Sequence, residues 1–241
     1  MKVTYIEHSG FLMEMEDAYF LFDYYKGGIP KMDPSKDIVV FVSHKHGDHY
    51  NSAIFGLLEE YPHVRYILSS EVPVKWFITQ EAEKGKDVEP YLNKVRKKSD
   101  YEFILYNGKT LKVHTLKSTD IGVAYLLSYE GKCIYHAGDL NLWLWAGETT
   151  QANENMVKAF WNSMEDLRGK EIDVAFVPLD PRQEGDSFAG LEAYLEVTNT
   201  KKVFPMHCWR NYNIIREFLR LHPTREGVVQ VVSQEGEEFL L

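Results

Sequence analysis

"FVSHKHGDHYN" occupies residues 41–51 and places three histidines and an aspartate within six positions, directly after the apolar run "IVVFV" (38–42). A run that is apolar throughout is expected of a strand covered on both faces. The following "NSAIFGLLEEY" has helical spacing, so the local plan is strand, ligand-rich loop, helix. In an extended loop, His44 and His46 are two apart and point the same way. Asp48 and His49 begin the next turn and face a neighbouring point, so the geometry serves two adjacent cations. Imidazole and carboxylate without thiolate suit zinc, with manganese or iron as alternatives, and one or two ions are expected.

Outward from this stretch the chain alternates between two periods. "KVTYIEH", "GFLMEME" and "AYFLFDYY" read as short strands of a hairpin layer. "VRYILSS" reads as a further strand, "VEPYLNKVRKKSD" as a helix with a basic end, and "YEFILYNGKTLKVHTL" as a hairpin turning at Asn107-Gly108. A second hairpin turns at Glu130-Gly131, and "NENMVKAFWNSMEDLRG" is an amphipathic helix stopped by Gly169. The last third reads strand, helix, strand, helix, strand through "IDVAFVPLD", "FAGLEAYLEVTN", "KKVFPMHCW", "NYNIIREFLRLHP" and "GVVQVVSQEGEEFLL". With no Pro/Ser-rich linker and no repeat, the reading is an α/β chain forming one domain over 1–241.

Composition narrows the function classes. The 241 residues are 44% hydrophobic, enough for a sizeable core, and the formal charge of −9 opposes non-specific binding to nucleic acid or anionic membrane. Small-molecule substrates are favoured. Apolar runs stop far short of the roughly 20 residues a membrane helix needs, so no membrane span is expected. The opening "MKVTYIEHSG" lacks the apolar core of a secretory leader and the chain has only two cysteines, which predicts the cytoplasm. Oligomeric state is not legible.

The spacing His-x-His-x-Asp-His, from His44 to His49, resembles the signature of the metallo-β-lactamase fold superfamily, and the likeness extends along nearly the whole chain. The resemblance implies a four-layer αββα sandwich of two mixed sheets flanked by helices, and metal-dependent hydrolysis by a metal-activated water. "YHAGD" (135–139) resembles the segment whose aspartate bridges both metals, which maps to Asp139. "VFPMHCW" (203–209) resembles the late strand ending in a ligand, which maps to His207. "LFDYY" (21–25) resembles the strand whose aspartate supports the ligand loop, which maps to Asp23. "IEHSGFLME" looks like the opening of the ascorbate-phosphate lactonase-like and phospholipase D-like branch, where a histidine, here His8, lies near the pocket. The implied metal set is thus His44, His46, Asp48, His49, Asp139 and His207, with Asp48 also acting on the proton of the attacking water.

One family ligand is missing. Most relatives supply a third histidine to the first metal, but "VHTLKSTDIGVAYLL" holds only His114, which sits in an alternating strand well before the loop Ser118-Thr119-Asp120. Asp120 can donate an oxygen there or form the turn. His136 and Cys208 adjoin candidate ligands and should face the opposite way. Trp143 and Trp145 either wall the pocket or pack in the core, Arg182 in "PLDPRQ" either clamps a phosphate or carboxylate or closes a turn, and "KVRKK" (94–98) reads as a solvated helix face able to steer an anion. A small, anionic ester, phosphodiester or lactone is the expected substrate. A catalytically reduced protein keeping the fold for metal or ligand binding is the alternative. Diiron redox relatives resemble His-x-Glu-x-Asp, and His46 stands where they have a carboxylate.

Overall fold

In the computed structural model, which describes residues 1–241, the amino-terminal strands β1 (Lys2–Glu7), β2 (Gly10–Glu14) and β3 (Ala18–Phe22) form an antiparallel meander. The ligand-bearing run is β4 (Asp37–Val42), which pairs in parallel with β3 and places Phe22 opposite Phe41. Val39 and Phe41 enter the larger core, whereas Ile38, Val40 and Val42 enter a smaller cluster on the other face. The strand is therefore apolar in every register position because both of its faces are covered. A 3-10 turn at Ser52–Gly56 and the short α1 (Leu57–Glu60) follow, and β5 (Val64–Ser69) extends the sheet in parallel.

Three segments differ from the sequence reading, two of them next to β5. "VEPYLNKVRKKSD" is not a helix: after a 3-10 turn at Glu89–Tyr91 it becomes β6 (Leu92–Val95), paired in parallel with the edge of β5. Pro90 disfavours a continuous helix there. The Lys94 ammonium donates to the backbone oxygens of Ser69 and Val72, which holds this edge in place. A helix absent from the sequence reading, α2 (Lys75–Glu83), precedes it and buries only Phe77 and Glu81, too few apolar positions for a periodic signal.

The second sheet starts with the predicted hairpins, β7 (Ser99–Ile104) with β8 (Thr110–Lys117), and β9 (Val123–Tyr129) with β10 (Lys132–His136). After α3 (Thr150–Met164), strand β11 (Glu171–Pro178), helix α4 (Ala189–Val197), strand β12 (Asn199–Met206) and helix α5 (Asn213–Leu221) alternate as expected, with β10, β11 and β12 parallel. The terminal "GVVQVVSQEGEEFLL" is not one strand. Val229 makes only isolated bridges, a turn at Gly236 follows, and only β13 (Glu238–Leu240) pairs, on β1.

The result is two mixed sheets, of order β13-β1-β2-β3-β4-β5-β6 and β12-β11-β10-β9-β8-β7. A 48-residue apolar cluster lies between them and under α3, α4 and α5, and an 18-residue cluster lies between the first sheet and α1 and α2. This is the expected αββα sandwich. No helix is long and apolar enough to cross a membrane.

The loop leaving β8 lies directly on the chain that leaves β4. Gly122 has φ +76, and a Cβ there would collide with the Ser43 carbonyl oxygen and sit 2.6 Å from His44 Cβ. Gly122→Ala should therefore destabilise by about 3 kcal/mol, from the left-handed backbone and the forced displacement together. That corresponds to a melting temperature lower by roughly 6–12 °C for a chain of this size. Gly56→Ala, in open space, should change little; equal melting temperatures for the two variants by calorimetry would contradict this packing.

Candidate metal centre

The polar residues gather where strands end. His8 follows β1, Asp23 follows β3, His44 to His49 follow β4, Asp120 follows β8, Asp139 follows β10, Asp180 follows β11 and His207 follows β12. Ligand sites at the carboxyl ends of strands are the usual outcome of such sheets. Three of these residues turn sharply to do it: His8, Asp23 and His207, each the first residue past its strand, have φ of 56°, 39° and 66°. Left-handed backbone at a non-glycine residue costs about 1–2 kcal/mol. The surrounding structure holds all three, and such outliers collect at functional sites.

Two groups of side chains result, each with its possible ligand atoms within 4.8 Å of one another: His44, His46, Asp120 and Asp139, and His8, Asp48, His49 and His207. Asp139 reaches across both. Its Oδ2 lies 3.3 Å from His44 Nε2, while Oδ1 lies 3.1 Å from His49 Nε2 and 3.4 Å from His207 Nε2. Asp48 Oδ2 lies 3.5 Å from His8 Nε2 and 3.9 Å from His207 Nε2. Asp120 Oδ2 is 3.5 Å from His46 Nδ1, so the acidic loop residue stands beside the His44 and His46 rings. Thr119 anchors that loop by donating to the carbonyl of Asn141 at 2.6 Å.

Hydrogen bonds behind the rings determine which nitrogen faces the centre. His49 Nδ1 donates to Asp23 Oδ2 at 2.7 Å, and His207 Nδ1 donates to Asp180 Oδ2 at 2.8 Å. Ser43 Oγ donates to Asp23 Oδ2 at 2.5 Å and accepts from His44 Nδ1 at 2.9 Å. In each case Nε2 keeps its lone pair, the tautomer a metal requires. The test of fit lies in what these atoms lack: His8 Nε2, His44 Nε2, His49 Nε2, His207 Nε2 and Asp139 Oδ1 are all buried without a hydrogen-bond partner. Each such orphan costs about 1–3 kcal/mol, and five converging lone-pair donors of imidazole and carboxylate type fit a divalent cation.

The electrostatics are those of a site waiting for positive charge. Burial would raise the Asp139 carboxyl, but the rings of His49, His44 and His207 gathered around it hold it well below the usual carboxylate range. Asp48 is likewise lowered against its burial by His8 and His49. Burial pushes the His8 imidazole down to about 4.

A cavity of about 360 Å³ opens onto these atoms. Asp48, Asp139 and His207 face it, and Trp143, Trp145 and Arg182 wall it, so the two tryptophans do line the pocket. Arg182 is more than a turn residue. Its Nε and Nη2 donate to Asp180, its guanidinium lies 4.4 Å over the Trp209 ring, and its Nη1 is left free. Other candidates stand apart. His114 Nδ1 donates to Asp100 at 2.8 Å in β8, and His136 Nε2 donates to the Ser9 carbonyl while its ring stacks on Phe22. Burial in the large apolar cluster raises the Cys208 thiol, whose one hydrogen bond goes to the Met206 carbonyl.

Asp180 and Trp209 were missed from the sequence, and His8 was placed only near the pocket rather than among its lone-pair donors. The cue for Asp180 is its place two residues past the end of β11, in the same "PLDPRQ" segment as Arg182.

The family described as beta-lactamase superfamily domain matches residues 2–154. Over 58 residues the chain is 38% identical to a UPF0173 metal-dependent hydrolase of Carboxydothermus hydrogenoformans; the matched stretch is 22% of this chain and spans about a quarter (26%) of that relative. In structure it is similar to Igni18, a metallo hydrolase of Ignicoccus hospitalis, with a TM-score of 0.63, 18% identity, and coverage of 100% of this chain and 98% of the other. It is also similar to CmlA, a diiron β-hydroxylase of Streptomyces venezuelae, with a TM-score of 0.61, 10% identity, and coverage of 100% of this chain and 54% of the other. Identities this low establish the fold alone. Because proteins of such different chemistry share it, the reaction must be read from the site.

Proposed function

Because the chain belongs to the beta-lactamase superfamily, we propose that it is a metal-dependent hydrolase whose ligands are His44, His46, Asp120 and Asp139 for one ion and Asp48, His49, His207 and Asp139 for the other. Zinc suits this imidazole-rich set, with manganese or iron as alternatives. The observation that carries the reading is the convergence, beside a cavity, of four buried and unpartnered atoms of these ligands: Nε2 of His44, His49 and His207, and Oδ1 of Asp139. When bound, a divalent ion supplies Lewis acidity and lowers the pKa of water to about 7.

The protein's own residues do the rest. Asp23 and Asp180 fix the tautomers of His49 and His207. Asp48 is the one acidic group of the His49 set that faces the cavity with about a third of its side chain exposed. It is placed to orient the attacking water and accept its proton. Arg182 directs its free Nη1 toward an anionic group of the substrate, and the parallel rings of Trp143 and Trp145, 6.0 Å apart, exclude water from one side. A small anionic ester, phosphodiester or lactone fits these walls. An imidazole rather than a carboxylate at position 46 favours hydrolysis over diiron oxygen chemistry.

The deciding experiment joins metal titration to a hydrolysis panel of phosphodiesters and lactones. A tight first equivalent, a weaker second at the more exposed His46 and Asp120, and metal-dependent turnover are expected. Full metal loading with no turnover across the panel would favour a metal- or ligand-binding protein that keeps the fold.

A further inference from the structure

A second cavity, of about 480 Å³, abuts the metal pocket, and Asp120 lines both. Lys45, Arg96, Lys97 and Lys117 line it, together with the hydroxyl of Ser118. Lys45 lies between His44 and His46, so alternation that turns both imidazoles inward sends the lysine to the other side of the loop. Arg96 and Lys97 belong to the basic run read from sequence as a solvated helix face. Because that run is the end of β6 and the turn after it, the two cations border a concave surface instead.

These four cations differ from most of the chain's lysines near carboxylates. Lys2, Lys26, Lys36, Lys109 and Lys201 all form ion pairs, whereas none of the four lining the cavity pairs with a carboxylate. Two acidic groups also line the cavity: Asp120 faces His46, and Glu71 accepts from Ser69 Oγ at 2.6 Å through Oε2 while its Oε1 is buried beside Gly122 without a partner. Ser118 is 2% exposed, and its oxygen accepts from the Asp120 N–H while its own hydrogen goes to no protein atom. A buried hydroxyl with an unspent donor beside four unpaired cations is built for an oxyanion.

We propose that this cavity binds a phosphate group beside the metal centre. Its size suits a small phosphorylated molecule, and a net charge of −9 over the chain disfavours an extended polyanion. The phosphate comes either from a distal group of the substrate or from free phosphate. Only the first of these rests on the hydrolase reading.

Calorimetric titration of the metal-loaded protein with inorganic phosphate, at fixed ionic strength, tests the site. Wild type should show two saturable events, one at the metal pocket and one at the cavity. Arg96→Gln/Lys97→Gln should weaken the second up to about tenfold, as expected for two exposed ion pairs, with unchanged metal content and melting temperature. Lys117→Gln provides the same reading if the double variant folds poorly. Two unaltered events in both variants, or a single event identical in wild type and variants, would overturn the proposal. Repeating the titration with phenylphosphonate saturating the metal pocket separates the sources. Simultaneous binding is what a distal substrate phosphate requires, and mutual exclusion assigns the cavity to the free anion. Calorimetry needs no turnover, so a protein that hydrolysed nothing would leave this result standing while defeating the hydrolase reading.

Discussion

Asp139→Ala protein is expected to emerge from purification with most of its metal gone, its affinity reduced by at least about 100-fold. Loss of a residue that merely orients a ligand already costs about 10–100-fold, and Asp139 addresses both groups directly. One oxygen lies 3.3 Å from His44 Nε2 and the other 3.1 Å from His49 Nε2. Its removal leaves the imidazoles supported from behind by Asp23, Ser43 and Asp180 but deprives both positions of their shared negative charge. Folding should survive in part, because the 48-residue apolar cluster between the sheets does not depend on this carboxylate. Elemental analysis of the folded variant decides the matter: near-normal metal content would mean that the two groups bind independently, and the shared role of Asp139 would be wrong.

What the sequence discloses follows how local each interaction is. The cluster His44 to His49 is legible because ligands and strand lie in one continuous stretch, and β4 announces its double burial by being apolar at every position. The hairpins at Asn107-Gly108 and Glu130-Gly131 are legible for the same reason, since turn chemistry is local. Asp180 is not, because its importance arises only when β11 and β12 pair in parallel, with Pro178 opposite Met206, and bring His207 Nδ1 to within 2.8 Å. His8 is similarly hidden: its ring reaches Asp48 and His207 only because the backbone takes a left-handed turn after β1. The basic run at 94–98 misled for a related reason. Leu92 and Val95 fit a helical spacing as well as a strand edge, and pairing with β5, a contact distant in sequence, decided between them.

Asp48→Asn should lower turnover by about 10²–10⁴-fold, the usual contribution of a positioned proton acceptor, while metal content falls much less. The substitution keeps the side chain's size and leaves an amide oxygen able to donate a lone pair toward the ion held by His49 and His207. It removes the capacity to take a proton from water. Asp48 is suited to show this separation because, unlike Asp139, it is not enclosed: its side chain is 30% exposed against 8% for Asp139, and it faces the cavity in which Arg182 and the tryptophans would hold the substrate. His8, 3.5 Å away, supports its position from the buried side. Rate and metal content, measured on the same preparations across a metal titration, therefore distinguish two roles that the static geometry joins in one residue. If turnover per bound ion is restored to the wild-type value once Asp48→Asn is saturated with metal, Asp48 is a ligand alone, and the proton must leave by another group.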